Sequence, residues 1–332
     1  MAISDERLAA KIETIRREQQ ERMRRSGSGP PARVIGEEML RLVAASMNEA
    51  LLAETWARPE YRPAAAAMAH HSLPEQADNR ILSHALSDTL RFAAGIWALG
   101  LHGEPAGLTI SRLNAVLEAV GYGSRTWAHA VFAYLRFLGY IEPDHGGGDR
   151  RERRFRPTAR MRAAFREHYV KHMRIASGLD PDLAAYADRL DGDDGAFDRF
   201  MGVLSEGQLT SAMIHRLNTE PTMDVFARRR SGMTMFWALV TAAPEGPEWP
   251  SAAWFPVSLS DLARRAGVSR MHFARLLRDV GNIGMVETDG AGNLRIRDSL
   301  RLEVNTFAAM VLLSFTFVRQ VAEAREAEAR AA

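Results

Sequence analysis

The sequence predicts a mostly α-helical protein with two similar helix-turn-helix units, each followed by a small β-hairpin. Three observations lead to this prediction. Apolar residues recur at helical spacing, one stretch recurs 145 residues further along the chain, and glycine-rich turns follow both copies. The length of 332 residues is sufficient for about two domains, one for each copy.

The composition excludes several classes of function. The chain has no cysteine, which excludes disulfide scaffolds, thiolate metal clusters and cysteine nucleophiles. It contains no glycine-rich phosphate loop, nucleophile elbow or zinc-protease helix. His168 and His172 have metal-like spacing but supply only two ligands, so we expect a surface pair without metal. We therefore expect a protein that is not an enzyme and that needs no cofactor.

The apolar segments predict a soluble, cytoplasmic protein with no membrane partner. The longest charge-free apolar run, Val304 to Val318, has 15 residues and is shorter than the roughly 20 that cross a membrane. Asp5 and Glu6 interrupt the N-terminal apolar segment, so no secretory signal is predicted.

Arginine supplies almost all the positive charge. Only Lys11 and Lys171 are lysines, so 43 − 2 = 41 basic residues are arginines. A GC-rich genome explains this bias, but the arginine fork also suits phosphates and guanine edges. The net charge of +2 is too small to indicate nucleic-acid binding. Any such binding must therefore be argued from where along the chain the charges cluster.

The chain begins with a basic, flexible N-terminal tail, residues 1–32. Residues 1–25 look helical, and the Ser/Gly/Pro segment 26–31 is typical of a linker. An amphipathic helix is predicted from Val34 to Trp56, stopped by Pro59 and Pro63.

The repeat aligns residues 124–142 with residues 269–287 without a gap. The identities are Ser-Arg at 124–125 and 269–270, glycine at 139 and 284, and glutamate at 142 and 287. In the second copy, Ser258 or Ser260 caps a first helix, and Gly267 ends it in the left-handed conformation. Ser269 then caps the next helix, whose inner stripe is predicted to be Phe273, Leu277 and Val280.

A hairpin follows each helix pair. In the second copy, 285–288 and 294–297 alternate around a turn. We place the helix-turn-helix cores at about 108–142 and 257–287, and the hairpins at 142–157 and 285–297. The first domain spans 33–178, and the second spans 225–332 with a long C-terminal helix. Between them lies 179–224, an acidic linker with connecting helices. Its stretch 180–198 holds seven aspartates against Arg189 alone, which predicts a solvated linker between the two halves.

The segment SLSDLARRAGVSRMHFARLLRDVGNIGMVE resembles the winged helix-turn-helix of bacterial transcription regulators. The first copy, with Pro157-Thr158 and a new helix after its hairpin, resembles the MarR-type winged helix. The resemblance covers about 60 residues per copy and differs from a MarR-family protomer in holding two units in one chain. It implies tandem winged helices with small β-wings, packed through long N- and C-terminal helices as a pseudo-dimer.

The resemblance also implies contacts with double-stranded DNA from each second helix and each wing. The predicted residues are Ser124, Arg125, Thr126, His129, Arg150, Arg151, Arg153 and Arg154 in the first copy, and Ser269, Arg270, Met271, His272, Arg275, Arg295 and Arg297 in the second. The first wing, 149–162, holds seven arginines against two acidic residues. The two copies are not equivalent, because Ala130 stands where the second copy has Arg275.

These features favour a sequence-specific DNA-binding transcriptional regulator. A plasmid-type replication initiator also uses two winged helices, and it would bind directly repeated sites. Winged helices also serve as protein-interaction modules without DNA binding, and weak salt dependence would favour that alternative. Further expected partners are a second copy of the chain, through the terminal helices, and a small-molecule effector. Tryptophans such as Trp97, Trp237, Trp249 and Trp254 either line an effector cavity or belong to the core.

Overall fold

The computed structural model describes residues 5–25, 36–46, 48–74, 88–121, 125–144, 153–216, 223–289 and 291–331. The protein is mostly helical (71%) and has two small antiparallel sheets, which confirms the predicted mostly-α class.

The elements alternate between helical stretches and two short hairpins. The helices are α1 (Asp5–Arg25), α2 (Glu37–Ser46), α3 (Glu49–Ala57), α4 (Tyr61–His71), α5 (Thr89–His102), α6 (Ile110–Ala119), α7 (Arg125–Phe137), α8 (Ala159–Ala176), α9 (Asp182–Gly192), α10 (Asp194–Arg216), α11 (Asp224–Ala227), α12 (Gly232–Val240), α13 (Leu259–Arg265), α14 (Arg270–Asn282) and α15 (Asp298–Ala331). The strands are β1 (Ile141–Pro143), β2 (Phe155–Pro157), β3 (Phe255–Pro256), β4 (Val286–Thr288) and β5 (Asn293–Ile296).

The chain divides into two compact bodies, each discontinuous in sequence. The smaller body contains Ala50–Phe92 and Glu220–Leu313, and the larger contains Ile3–Glu49, Ala93–Thr219 and Ser314–Ala332. The second sequence copy lies in the smaller body and the first in the larger. The bodies differ from the contiguous domains expected from the sequence, because Ala50–Phe92 belongs to the body of the second copy and Ser314–Ala332 to the body of the first.

The smaller body has a three-stranded antiparallel sheet in the order β3-β5-β4. Val286 pairs with Ile296, and Phe255 pairs with Leu294, so the strand β3 extends the hairpin. Phe236 on α12 and Phe273 on α14 are fully buried among the helices of this body. The Met285 amide donates to the Val280 carbonyl oxygen at 2.9 Å, which connects the start of the hairpin to α14.

The larger body has a two-stranded antiparallel sheet, β1-β2, in which Glu142 pairs with Arg156. Glycines on α5 allow its close approach to neighbouring helices. A Cβ atom at Gly100 would overlap the Oγ atom of Ser205, so a larger residue there would collide with α10. The Phe165 side chain of α8 similarly occupies the space beside Gly95.

The acidic stretch 180–198 is not the solvated linker that its composition predicts. It forms α9 and the first turn of α10, and it buries Tyr186 and Phe197. Its aspartates pair with arginines of α8: Asp198 with Arg162, and Asp194 with Arg166. Because these partners are distant in sequence, the local charge count led to the wrong prediction.

Two other expectations differ in detail. The helix predicted from Val34 to Trp56 is two helices, α2 and α3. Pro63 lies in the first turn of α4, where a proline nitrogen needs no hydrogen-bond partner, and so it does not stop a helix. At the N-terminus, α1 confirms the predicted helix, and Ile15 is buried; the segment 26–31 lies outside the described residues.

In the part of the chain that the structure describes, only α15 is long and apolar enough to cross a membrane. Core helices of soluble proteins can be equally long and apolar, and Val304, Ala308 and Leu312 of α15 are buried within the protein. The structure is compatible with a soluble protein.

Asn305 of α15 connects several segments of the smaller body. Its Nδ2 atom donates to the carbonyl oxygen of Trp249 at 2.9 Å. The hydroxyl of Tyr61 on α4 lies 2.9 Å from the main-chain carbonyl oxygen of Asn305 and 3.1 Å from the side-chain Oδ1 atom. The indole nitrogen of Trp56 on α3 donates to the same carbonyl oxygen at 3.1 Å. One residue thus links α3, α4 and the loop before β3 to α15.

We predict that Asn305→Ala lowers the free energy of unfolding by about 1–3 kcal/mol, because it leaves partly buried groups unpaired. Chemical unfolding followed by circular dichroism measures the loss. Asn282→Ala is the control, since Asn282 is exposed on α14. Equal small losses in both variants would show that the Asn305 side chain adds nothing to this junction, since its main-chain carbonyl, which accepts from Trp56 and Tyr61, is kept in the variant.

Candidate nucleic-acid interface

Two serine caps and one glycine set the geometry of the second copy. Ser258, not Ser260, caps α13, and its Oγ atom accepts a hydrogen bond from the Asp261 amide at 3.2 Å. Gly267 ends that helix with φ of 66°, in the left-handed region that favours glycine. Ser269 then caps α14 and accepts from the His272 amide at 3.2 Å. These features confirm the sequence predictions for this turn.

The inner face of α14 is buried through Phe273, Leu276 and Val280. The predicted stripe contained Leu277 instead of Leu276. That prediction was wrong by one position, because two adjacent leucines fit the apolar pattern equally well. Leu277 is only half-buried. The helix is held further by an ion pair between Asp279 and Arg229, which precedes α12.

The outer face of α14 is defined here as Arg270, Met271, Ala274, Arg275 and Arg278, of which all but the half-buried Ala274 are exposed. Met271 is 65% exposed, and the three arginines are exposed as well. Within the described residues, Arg270 and Arg275 have no ion pair or side-chain hydrogen bond, whereas Arg278 lies 3.9 Å from Asp279. The α14 outer face therefore offers guanidinium groups without internal partners, and the half-buried His272 lies beside it.

The hairpin arginines of the second copy, by contrast, already have a partner. Both Arg295 and Arg297 form ion pairs with Glu287. The hydrogen bond from Arg295 holds the pKa of Glu287 below its ordinary value, so this carboxylate is ionised at neutral pH. Arg295 also lies over the ring of Trp254, 5.0 Å from its centroid. Both arginines remain predicted DNA contacts, but Glu287 neutralises much of their charge.

Asp289 orders the tip of this hairpin. Its Oδ1 atom accepts hydrogen bonds from the amides of Ala291 at 2.9 Å and Asn293 at 2.8 Å. The side-chain amide of Asn293 donates to Oδ2 at 2.7 Å and is the main cause of the lowered pKa of Asp289. A fixed negative charge at the tip disfavours close approach of a phosphate backbone.

The first copy repeats the backbone geometry of the second. The Tyr140 amide donates to the Leu135 carbonyl at 2.9 Å, and the Met285 amide donates to the Val280 carbonyl at 2.9 Å, 145 residues later. Gly139 and Gly284 adopt φ of 68° and 71° between helix and strand. Each hairpin has a glutamate–arginine pair across its strands; in the first copy, Arg156 donates to Glu142 at 2.8 Å.

The corresponding outer face of α7 has a different chemistry. Thr126 and His129 are exposed as predicted, but Ala130 and Ala133 occupy the positions of Arg275 and Arg278. Phe137, at the end of the same face, is 86% exposed. Ser124 and the side chain of Arg125 lie outside the described residues.

The basic run of the first hairpin is partly used inside the protein. Arg150 and Arg151 lie outside the described residues. Arg153 is exposed, whereas Arg154 donates to the Pro105 carbonyl at 3.5 Å. Arg162, which the sequence places in the same run, pairs with Asp198. A net count over the run therefore overstates the charge available to a ligand.

Trp97, Trp237 and the histidine pair lie outside these surfaces, whereas Trp254 contacts Arg295. Trp97 and Trp237 are buried in the core, whereas Trp254 is 44% exposed. The expectation of a surface pair at His168 and His172 is wrong for His172. That residue is buried against Phe315, and its ring lies 4.2 Å from that of His168.

Comparison with models of protein families, with curated proteins and with solved structures finds no match to this chain.

Sequence reasoning did not identify Glu287, Asp289 and Trp254 as parts of the site. For Glu287 a signal was present, because glutamate recurs at the matching position, Glu142. Opposite a strand that carries arginines, a repeated glutamate indicates a cross-strand ion pair.

We predict that Arg295→Gln raises the pKa of Glu287 toward its ordinary value, because the main hydrogen-bond donor to this carboxylate is lost. A carboxyl NMR titration measures the change. In the native protein, stabilisation by the pair is present at neutral pH and is lost as the pH falls through the lowered pKa. In Arg264→Gln, only the pKa of Asp261 should rise, since Arg264 donates to that residue at 2.7 Å. An unaltered Glu287 pKa in Arg295→Gln would contradict the assignment.

Proposed function

We propose that the protein is a sequence-specific double-stranded DNA-binding transcriptional regulator with two MarR-like winged helix-turn-helix units. The α14 outer face is the observation that carries this proposal. It is an exposed helix face with three arginines, and two of them have no partner among the described residues. The following hairpin and the helix pair α13–α14 fit the order of elements in a winged helix.

The chemistry of this face suits the major groove. An α-helix fits into that groove, and an arginine fork forms two hydrogen bonds to the O6 and N7 atoms of guanine. Arg270 and Arg275 lie in the first two turns of α14, the part that contacts base edges when a helix enters a groove by its N-terminus. Burial of Phe273 and Leu276 keeps the helix rigid, which reduces the entropy lost on binding.

The two copies are proposed to contribute differently. In the second copy, α14 contacts bases, and the hairpin contributes little charge because Glu287 and Asp289 oppose its arginines. In the first copy, the arginines at 150, 151 and 153 contact phosphates, while α7 contributes Thr126 and His129. A duplex site for one chain would then be asymmetric, as expected for a pseudo-dimer with unequal halves.

The arrangement of binding sites tests the remaining features of the proposal. Footprinting combined with the mass of the complex distinguishes one chain on an asymmetric site from a homodimer, formed through the terminal helices, on a symmetric site. Directly repeated sites would instead favour a replication initiator. If a small-molecule effector regulates the protein, its affinity for the duplex should change when mixtures of metabolites are added.

The direct test is selection of duplexes from a random pool, followed by titration of Arg275→Ala. We expect this variant to lose about 1–3 kcal/mol of binding free energy on the selected duplex and to tolerate changes at one base pair. Gel shift at fixed salt measures both effects. The control is Arg174→Ala, which removes the same charge from α8, where Arg174 pairs with Asp188 at 2.9 Å.

Equal losses on selected and random duplexes would mean that Arg275 contacts only phosphate. If no duplex is enriched and binding is insensitive to salt, the protein-interaction alternative replaces DNA binding.

A second prediction concerns the neutralised hairpin. Glu287→Gln should tighten binding to every duplex, because Arg295 and Arg297 become free to bind phosphates. The log–log salt slope should steepen by about 0.9 for each additional phosphate that these arginines neutralise. Asp188→Asn is the control, because it removes the same negative charge from α9, outside the hairpin, and should not alter the slope. Weaker binding by Glu287→Gln would indicate that the ion pair holds the hairpin in its binding geometry.

A further inference from the structure

We infer that Met271 is a specificity-determining residue that contacts the C5-methyl group of a pyrimidine, thymine or 5-methylcytosine, in the major groove. The inference rests on the proposed function and specifies the chemistry that the α14 outer face recognises.

Met271 lies at the centre of the candidate interface. Residues three, four or seven positions apart share one side of a helix, so Met271 lies in a row with Arg275 and Arg278. Arg270 and Ala274 form the adjacent row. The backbone of α14 is fixed beneath it by the Ser269 cap and the buried Phe273. The position of Met271 is therefore set by the same packing that orients the arginines.

The side chain has no role in the core of the smaller body. Met271 is 65% exposed, although it belongs to the first turn of a helix whose other side is fully buried. Exposed apolar residues are common singly, but here the remaining long side chains of the face are all charged. Met271 is the one large apolar group on the α14 outer face, and the small Ala274 beside it leaves room for a base edge.

The major groove offers one kind of apolar target. Every base edge there presents hydrogen-bond donors or acceptors, and only the C5-methyl group of thymine, or of methylated cytosine, is apolar. Methionine is unbranched and flexible, so its thioether and methyl group can adapt to that target. Arginines on the same face select guanine, so the bound site should combine a C5-methylated pyrimidine with neighbouring guanine.

The experiment uses the full chain and the duplex selected from a random pool. At each thymine in turn, deoxyuridine replaces thymidine, which removes only the methyl group. At one position we expect three- to tenfold weaker binding by the native protein, the effect of losing one buried methyl group. At that position, 5-methylcytosine should bind more tightly than cytosine by a similar factor.

Met271→Ala should bind the thymine duplex three- to tenfold more weakly than the native protein does, and it should no longer distinguish thymine from deoxyuridine. Leu302→Ala is the matched control, because Leu302 is 55% exposed and lies on α15 of the same body. This control should keep the full discrimination between the two bases. Circular dichroism spectra of the variants confirm that the helices are intact.

The outcomes separate this inference from the proposed function. If specific binding and the Arg275 effect are present but Met271→Ala discriminates thymine from deoxyuridine as the native protein does, the inference is wrong and the proposed function stands. If no thymine position responds to loss of its methyl group, the inference is likewise overturned. If the pool yields no enriched duplex, the proposed function itself fails.

Discussion

Burial of Phe273, Leu276 and Val280 fixes the rotation of α14 about its own axis, and the candidate interface depends on that rotation. Because three apolar side chains at helical spacing enter the core, the residues between them must face outward. The Ser269 cap sets where the helix begins, and the Arg229–Asp279 pair holds its second half. A rotation by one position in one direction would bury Arg275 at a cost of several kcal/mol, and in the other it would replace Phe273 and Val280 in the core by Ala274 and Gly281. The arrangement of the arginines thus follows from the packing.

The two copies share a backbone pattern but distribute charge in opposite ways. The second copy exposes arginines on its helix and neutralises those of its hairpin through Glu287. The first copy keeps Arg125 at the position of Arg270 but has Ala130 and Ala133 at those of Arg275 and Arg278, and most of its basic residues lie in the hairpin. This difference is possible because outward-facing residues contribute little to stability, whereas the caps, the left-handed glycines and the buried stripes maintain the fold.

Features set by local physics could be predicted from the sequence, and those set by distant partners could not. Ser269, Gly267 and the hairpin positions depend on neighbouring residues, and each was predicted correctly. Leu277 was chosen over Leu276 because periodicity alone cannot separate adjacent leucines near the edge of a stripe. The acidic stretch was misassigned because Arg166 and Asp194 are 28 residues apart and meet only after α8, α9 and α10 pack. The pairing of Arg295 and Arg297 with Glu287 is local, within one hairpin, and the glutamate repeated at 142 and 287 indicated it, but counting arginines alone left it out.

The ion pairs between α8 and α10 have a practical consequence for handling the protein. Asp194 is 73% exposed where it meets Arg162 and Arg166, so concentrated salt screens these pairs strongly. High-salt washes that strip bound nucleic acid during purification act on the same kind of contact. Such a wash would weaken the ion pairs between α8 and α10 while it cleans the preparation. Removing nucleic acid with a nuclease at moderate ionic strength would leave the ion pairs between α8 and α10 intact.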